Sequence, residues 1–203
     1  MAIATIENIL VISLFKKGHI LMRTEIFPTY ASKCTRDIFS KETFLLMFSA
    51  GVIGEIAVEF FAWVIVPQFL GRPMEPSVLV QNLATAQLGI QLPMVVAFLI
   101  HFLAGAYFFV LGYVYFCDAT KIRNIWIVSL IWGLILWVIA QGFFAPLAGR
   151  PFFLGFGKYT WWSVGLHTIA YSIPTAFALE YFARRRAYQE NFDAEKTDST
   201  ATT

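Results

Sequence analysis

The sequence predicts an all-α integral membrane protein: a bundle of four transmembrane helices preceded by an interfacial N-terminal helix. Three observations carry that expectation. The chain is 58% hydrophobic and only 14% charged, far below the roughly 25% charged residues of an average soluble domain. Four apolar segments, about 43–66, 93–117, 125–145 and 160–183, are each close to the ~20 residues that cross a hydrocarbon core. Lys and Arg are also unevenly placed. Twelve of the 15 lie before residue 43, in 118–124 or after residue 183, and three lie in 68–92 and 147–159. The positive-inside rule then puts both termini in the cytoplasm and the two longer loops outside. An even number of spans agrees with that.

This organisation leaves residues 1–42 as a cytoplasmic and interfacial segment, 43–186 as the membrane domain and 187–203 as a tail. The lipid bilayer is the main expected partner. There is no room for a soluble catalytic domain. A net charge of +2 gives no basis for nucleic-acid binding. Cys34 and Cys117 show no C-x-x-C spacing and fall on the cytoplasmic side, where thiols stay reduced; they read as free cysteines.

The elements follow in order. Residues 1–15 are apolar but too short to span, and Lys16 and Lys17 come after the apolar part rather than before it, unlike a signal peptide. They read as an interfacial helix, with translation from Met22 as an alternative. Residues 16–42 are polar, mixed in charge and expected to be partly irregular. The first span should end at Pro67, because proline cannot continue the helical ladder, with Trp63 as an interface anchor. The loop that follows contains helical spacing over 77–89. Pro93 suits the start of the second span. The third runs from Trp126 to Pro146. The fourth is entered through Trp161 and Trp162, should be kinked by Pro174, and is stopped by Arg184, Arg185 and Arg186, which anchor it at the inner surface. The tail is rich in Asp, Glu, Ser and Thr and reads as disordered.

Against this apolar background the polar residues stand out. Glu55 and Glu59 lie one helical turn apart inside the first span, where a charge costs about 3 kcal/mol on insertion scales. Glu59 is eight residues before Pro67, His101 eight after Pro93, Gln141 five before Pro146 and His167 seven after Thr160. At 1.5 Å per residue, all four lie roughly 8–12 Å below the outer ends of their helices, with Glu55 one turn deeper. Inward stripes are expected at Gly51, Glu55 and Glu59; at His101, Gly105, Phe108 and Gly112; and at His167, Tyr171, Pro174 and Ala178. Small residues beside polar ones are what helix contacts in lipid use.

Three readings of this layer remain open. It is a hydrogen-bonded network that fixes helix register; a proton or ion site, since intramembrane carboxylates and imidazoles mark such paths; or a metal or haem site, with His101 and His167 as ligands of a b-type haem or a divalent metal. Ser163 and Ser172 lie near His167, but no nucleophile motif surrounds them, so no catalytic residue is expected.

Four sets of residues are similar to the YagU family of bacterial inner-membrane proteins: Gly51, Ile53, Phe60 and Trp63; His101 with Gly112 and Tyr113; Trp126 with Pro146, Leu147 and Gly149; and Gly165, His167, Glu180, Arg184 and Arg185. The resemblance covers about 45–186 and implies a polytopic membrane protein associated with acid tolerance. Glu55 and Glu59 lie outside it. The function classes left open are a small-ion or acid-stress membrane protein using the Glu/His layer, and an accessory or cofactor-holding subunit of a larger membrane complex or homo-oligomer.

Overall fold

Ser40 and Asn124 open two of the long apolar stretches as helix caps. The Ser40 hydroxyl accepts the Thr43 amide at 3.1 Å, and Asn124 Oδ1 accepts those of Trp126 and Ile127 at 3.0 and 3.2 Å. Such caps satisfy amides that have no partner in the first turn. The computed structural model describes residues 26–201, which contain no strand. Its helices are α1 (Ile26–Arg36), α2 (Lys41–Leu70), α3 (Pro76–Leu88), α4 (Met94–Thr120), α5 (Ile125–Leu147) and α6 (158–201). Among the described residues α2, α4 and α5 are long and apolar enough to cross a membrane. The inward face of α6 is more polar, with Ser163, Thr168, Ser172 and Thr175 all buried. The proposed interfacial helix at 1–15 and the alternative start at Met22 lie outside the described residues.

Prolines shape three of the long helices. Pro67 does not end its helix, contrary to expectation. The turn before it, Phe61–Ile65, widens to π geometry and the Val66 amide donates to the Phe61 carbonyl, five residues back. A proline in an α-helix clashes with the carbonyl four residues earlier; the extra residue in the wide turn relieves that clash, and α2 runs on to Leu70, stopping at Gly71 with φ 74°. The same device recurs. Ala145 donates to Ala140 just before Pro146, and Ile173 donates to Thr168 just before Pro174. A fourth wide turn, Ala104–Phe109 in α4, has no proline after it.

That fourth turn changes which residues face inward. An inserted residue advances the helix phase, so Phe108, expected on the inner stripe, is 64% exposed. Phe109 takes its place and meets the Tyr171 ring edge-on at 6.0 Å. Here α2 and α4 touch backbone to backbone: a Cβ added at Gly51 would lie 2.2 Å from the Ala106 carbonyl oxygen.

Packing divides the core into two clusters. One joins Met47, Ala50, Val110, Tyr113, Val114 and Leu179, with Ala31 and Cys34 of α1 closing its end. The other joins Val58, Ala62, Leu136, Leu166, Ala170 and Tyr171. Within the segment expected to be partly irregular, α1 is a regular helix with Ala31 and Cys34 buried, and residues 37–40 form the irregular part. The hydroxyls of Ser32 and Thr35 donate to the Asp118 carboxylate at 2.5 and 3.0 Å. Burial pushes the Cys34 thiol up to about 11, so it is inert at neutral pH.

The outward faces carry Ile53, Ile56, Val95, Leu99, Leu103, Ile127 and Leu130, all exposed. Water would not tolerate so large an apolar surface on a monomer, but lipid would. Trp63, Trp126 and Trp161 are exposed among them. Trp162 instead packs against the rings of Phe69 and Phe61, at 4.8 and 5.9 Å. The arginine run does not stop α6. Arg184 pairs with Glu180 at 2.6 Å and Arg186 with Glu190 at 3.1 Å, and the backbone stays helical to Ala201. Ion pairs one turn apart support a helix there, in place of the disordered tail expected from composition.

Candidate functional site

Glu55 reaches the bundle interior because its neighbours are small. It is 1% exposed, and its Oε1 lies where Gly105 has no side chain: a Cβ there would be 1.6 Å away. Gly105, in the wide turn of α4, and His101, one turn before it, both face Glu55 of α2. His101 Nδ1 lies 3.5 Å from Glu55 Oε2. Among the described residues neither atom has a hydrogen-bond partner. Glu59, one turn further along α2, joins them. One ligating atom from each of Glu55, Glu59 and His101 lies within 4.8 Å of the others.

Chemically this is a small cluster of two carboxylates and one imidazole, with Glu55 buried and Glu59 and His101 half-buried. Two carboxylates so close in a low-dielectric interior need a positive charge or a proton between them. An imidazolium, a bound proton or a cation can supply it.

His167 belongs to a different part of the same neighbourhood. Its Nδ1 lies 2.7 Å from the Ser163 carbonyl. A carbonyl only accepts, so Nδ1 carries the proton and Nε2 keeps its lone pair. Ser163 in turn accepts from Trp137 Nε1 at 2.9 Å and donates to the Thr160 carbonyl. His167 thus stands outside the Glu55–Glu59–His101 cluster, but His101, His167 and Gln141 all line one cavity of about 760 Å³. Gln141 is 8% exposed and its Oε1 has no partner. His101 therefore stands between the carboxylates and the cavity. The expected layer is gathered into one region in two parts: a carboxylate–imidazole cluster behind, and an imidazole–amide wall in front.

Tyr171, on the expected inward stripe, donates to the Gly105 carbonyl at 2.6 Å, which ties α6 to the wide turn beside Glu55. Other residues of the site are not singled out in the sequence. Arg72, Arg150 and Tyr159 line the cavity. Their signal was present: Arg72 and Arg150 are two of only three cations in the 68–92 and 147–159 segments. Comparison with family models, curated proteins and solved structures finds no match to this chain, so the functional argument rests on the chemistry of the site.

Proposed function

We propose that this chain exchanges protons or small cations within a membrane through Glu55, Glu59 and His101. The observation that carries this reading is the Glu55–His101 pair: a carboxylate 1% exposed and an imidazole 3.5 Å away, with Glu59 alongside and His101 also lining the cavity. An ionisable group in a membrane interior is costly and marks a path when it has such partners. In this reading His101 takes a proton from the cavity and hands it to Glu55, and the two carboxylates hold one positive charge between them. The same three residues offer the oxygen and nitrogen donors that suit a divalent cation.

The setting that fits is a four-span bundle of α2, α4, α5 and α6, with both termini cytoplasmic in a bacterial inner membrane. The charge asymmetry and the apolar outer faces support it. So does the likeness to the YagU family at His101, Gly112, Tyr113, Gly165 and His167, with acid tolerance as the physiological context. Reporter fusions after Arg186 and within 68–92 test the orientation; cytoplasmic and exterior signals respectively are expected.

The functional test uses the full chain in vesicles with an entrapped pH-sensitive dye and an imposed potential. Wild type should carry a proton flux that Glu55→Gln lowers at least tenfold. Flux equal to that of empty vesicles, or unchanged in Glu55→Gln, overturns proton exchange; cation binding is then tested by calorimetry with zinc. A second reading, a subunit holding a cofactor within a larger complex, is favoured by one observation: His101 and His167 line the same cavity, and His167 presents a free Nε2. An absorption spectrum of the purified protein decides it.

A further inference from the structure

The cavity has an end that proton exchange does not use. It lies between α3, the first turns of α4, the end of α5 and the 150–159 segment, with apolar walls that include Leu79, Leu83, Ile100, Leu136 and Ile139. Arg72 and Arg150, from the two connecting segments, also line it. The Arg72 guanidinium sits 4.5 Å from the centre of the Tyr159 ring and its Nε donates to the Tyr159 hydroxyl. With the Asn82 amide turned so that its oxygen faces the guanidinium, Arg150 donates to it from Nε and Nη2, at 3.0 and 3.2 Å. Tyr159 and Asn82 orient the two guanidiniums but bring no charge. Among the described residues neither arginine forms an ion pair with a carboxylate.

Glu75 also lines the cavity but pairs with neither arginine among the described residues, and two guanidiniums against one carboxylate beside apolar walls favour a ligand with an anion at one end and hydrocarbon at the other. The volume is that of a small-ligand site, for which roughly 300–1,000 Å³ is typical. At the far end Gln141, more than nine-tenths buried, leaves its amide oxygen unpaired. An unmet buried amide is unfavourable, and a hydroxyl of a ligand or a bound water would satisfy it.

We infer that this cavity binds an anionic amphiphile, with its phosphate or carboxylate head on Arg72 and Arg150 and its alkyl chain along the Leu79–Leu83 and Leu136–Ile139 walls. The site stands apart from the Glu55–Glu59–His101 cluster, sharing only the His101 side of the wall.

The test places the full chain in zwitterionic lipid nanodiscs and measures immobilisation of three spin-labelled probes of equal chain length: an alkyl phosphate, a fatty acid and an alkyl alcohol. At least one anionic probe should bind ten times more tightly than the alcohol. The phosphate binding ahead of the fatty acid identifies a lipid headgroup as the source; the reverse order identifies free fatty acid. The double variant Arg72→Gln with Arg150→Gln should lose at least tenfold for the anionic probes and leave the alcohol unchanged, while Arg72→Lys with Arg150→Lys should restore most of the binding. Leu83→Trp, which fills the cavity without touching its charge, should weaken all three probes. The inference is overturned by an alcohol that binds as well as the anions, by an arginine-to-glutamine variant that keeps wild-type affinity, by Leu83→Trp binding like wild type, or by inorganic phosphate displacing the alkyl phosphate at equal concentration.

Discussion

At the residue scale, the absence of side chains positions the site as much as the side chains do. Glu55 fits because Gly105 leaves room for its carboxylate, and α2 can approach α4 because Gly51 meets the Ala106 backbone directly. Close helix approach through small residues is how lipid-embedded helices gain contact energy. Gly51→Ala must push the helices apart, since its Cβ would fall 2.2 Å from a backbone oxygen that cannot rotate away. We expect a loss of about 1–3 kcal/mol, the range for overpacking a tight contact, read as a lower unfolding midpoint in mild detergent. Gly157→Ala is the comparison without a clash: its nearest new contact is an ordinary 3.8 Å and its φ is −77°, so only the poorer helix cap should register, at about 0.5–1 kcal/mol. Glu55, Glu59, His101, Gln141 and His167 were legible as a set because each interrupts an apolar run at a similar depth. The partition of that set, with His101 facing the carboxylates and His167 tied to Ser163, was not legible, because it depends on helix phase rather than depth.

At the element scale, the wide turns decide that phase. Prolines 67, 146 and 174 were visible in the sequence, but the rule that proline ends or kinks a helix assumes α geometry. Each is instead preceded by an i−5 hydrogen bond that absorbs the missing donor and the ring. The turn at Ala104–Phe109 had no proline to announce it, which is why Phe108 and not Phe109 was placed inward. Wide turns of this kind recur at functional sites, and here they lie beside Glu59, His101, Gln141 and His167. The Tyr171 hydrogen bond to Gly105 depends on the turn before Pro174. Tyr171→Phe should cost about 1–2 kcal/mol by leaving a buried carbonyl unpaired. Pro174→Ala, which lets the turn tighten and rotates Tyr171, should remove the same bond, so the double variant should be no less stable than the worse single one. Additive losses would show that the turn does not hold the bond.

A second element-scale prediction concerns α1 and α6. Lys33 bonds Glu190 at 2.8 Å and Arg186 bonds it at 3.1 Å, and the Lys33 hydrogen bond foremost holds the Glu190 carboxyl below its usual range. A depressed carboxylate favours the clasped arrangement above the ordinary value near ~4.3 and loses that contribution as pH falls through the lower folded value. Spin labels at positions 37 and 188 should report a constant separation at neutral pH and a broadened one in acid. A separation indifferent to acid contradicts the clasp.

At the scale of the whole molecule, the fold class was the most legible feature. Composition and the lengths of the apolar runs are summed over the chain, so a local misreading does not change them. The count of spans is less secure for a physical reason: α6 turns a polar face of Ser163, Thr168, Ser172 and Thr175 inward, which lowers its hydropathy below that of α2, α4 and α5. The cavity lies at the end of the bundle formed with α3 and the 150–159 segment, while α1 closes the other end. Glu55 joins α2 to α4 inside the bundle, so the integrity of the site should be felt in global unfolding. The central claim is that Glu55 and His101 act as one buried unit. The measurement is a double-mutant cycle on unfolding free energy in detergent, using Glu55→Gln, His101→Leu and the pair. Removing one partner of a buried pair typically costs about 3–5 kcal/mol, and residues in direct contact couple by about 0.5–3 kcal/mol. The account predicts that His101→Leu is the more damaging single change, that Glu55→Gln recovers part of that loss in the double variant, and that the coupling exceeds ~1.5 kcal/mol. Additive single losses, with coupling indistinguishable from zero, would contradict it.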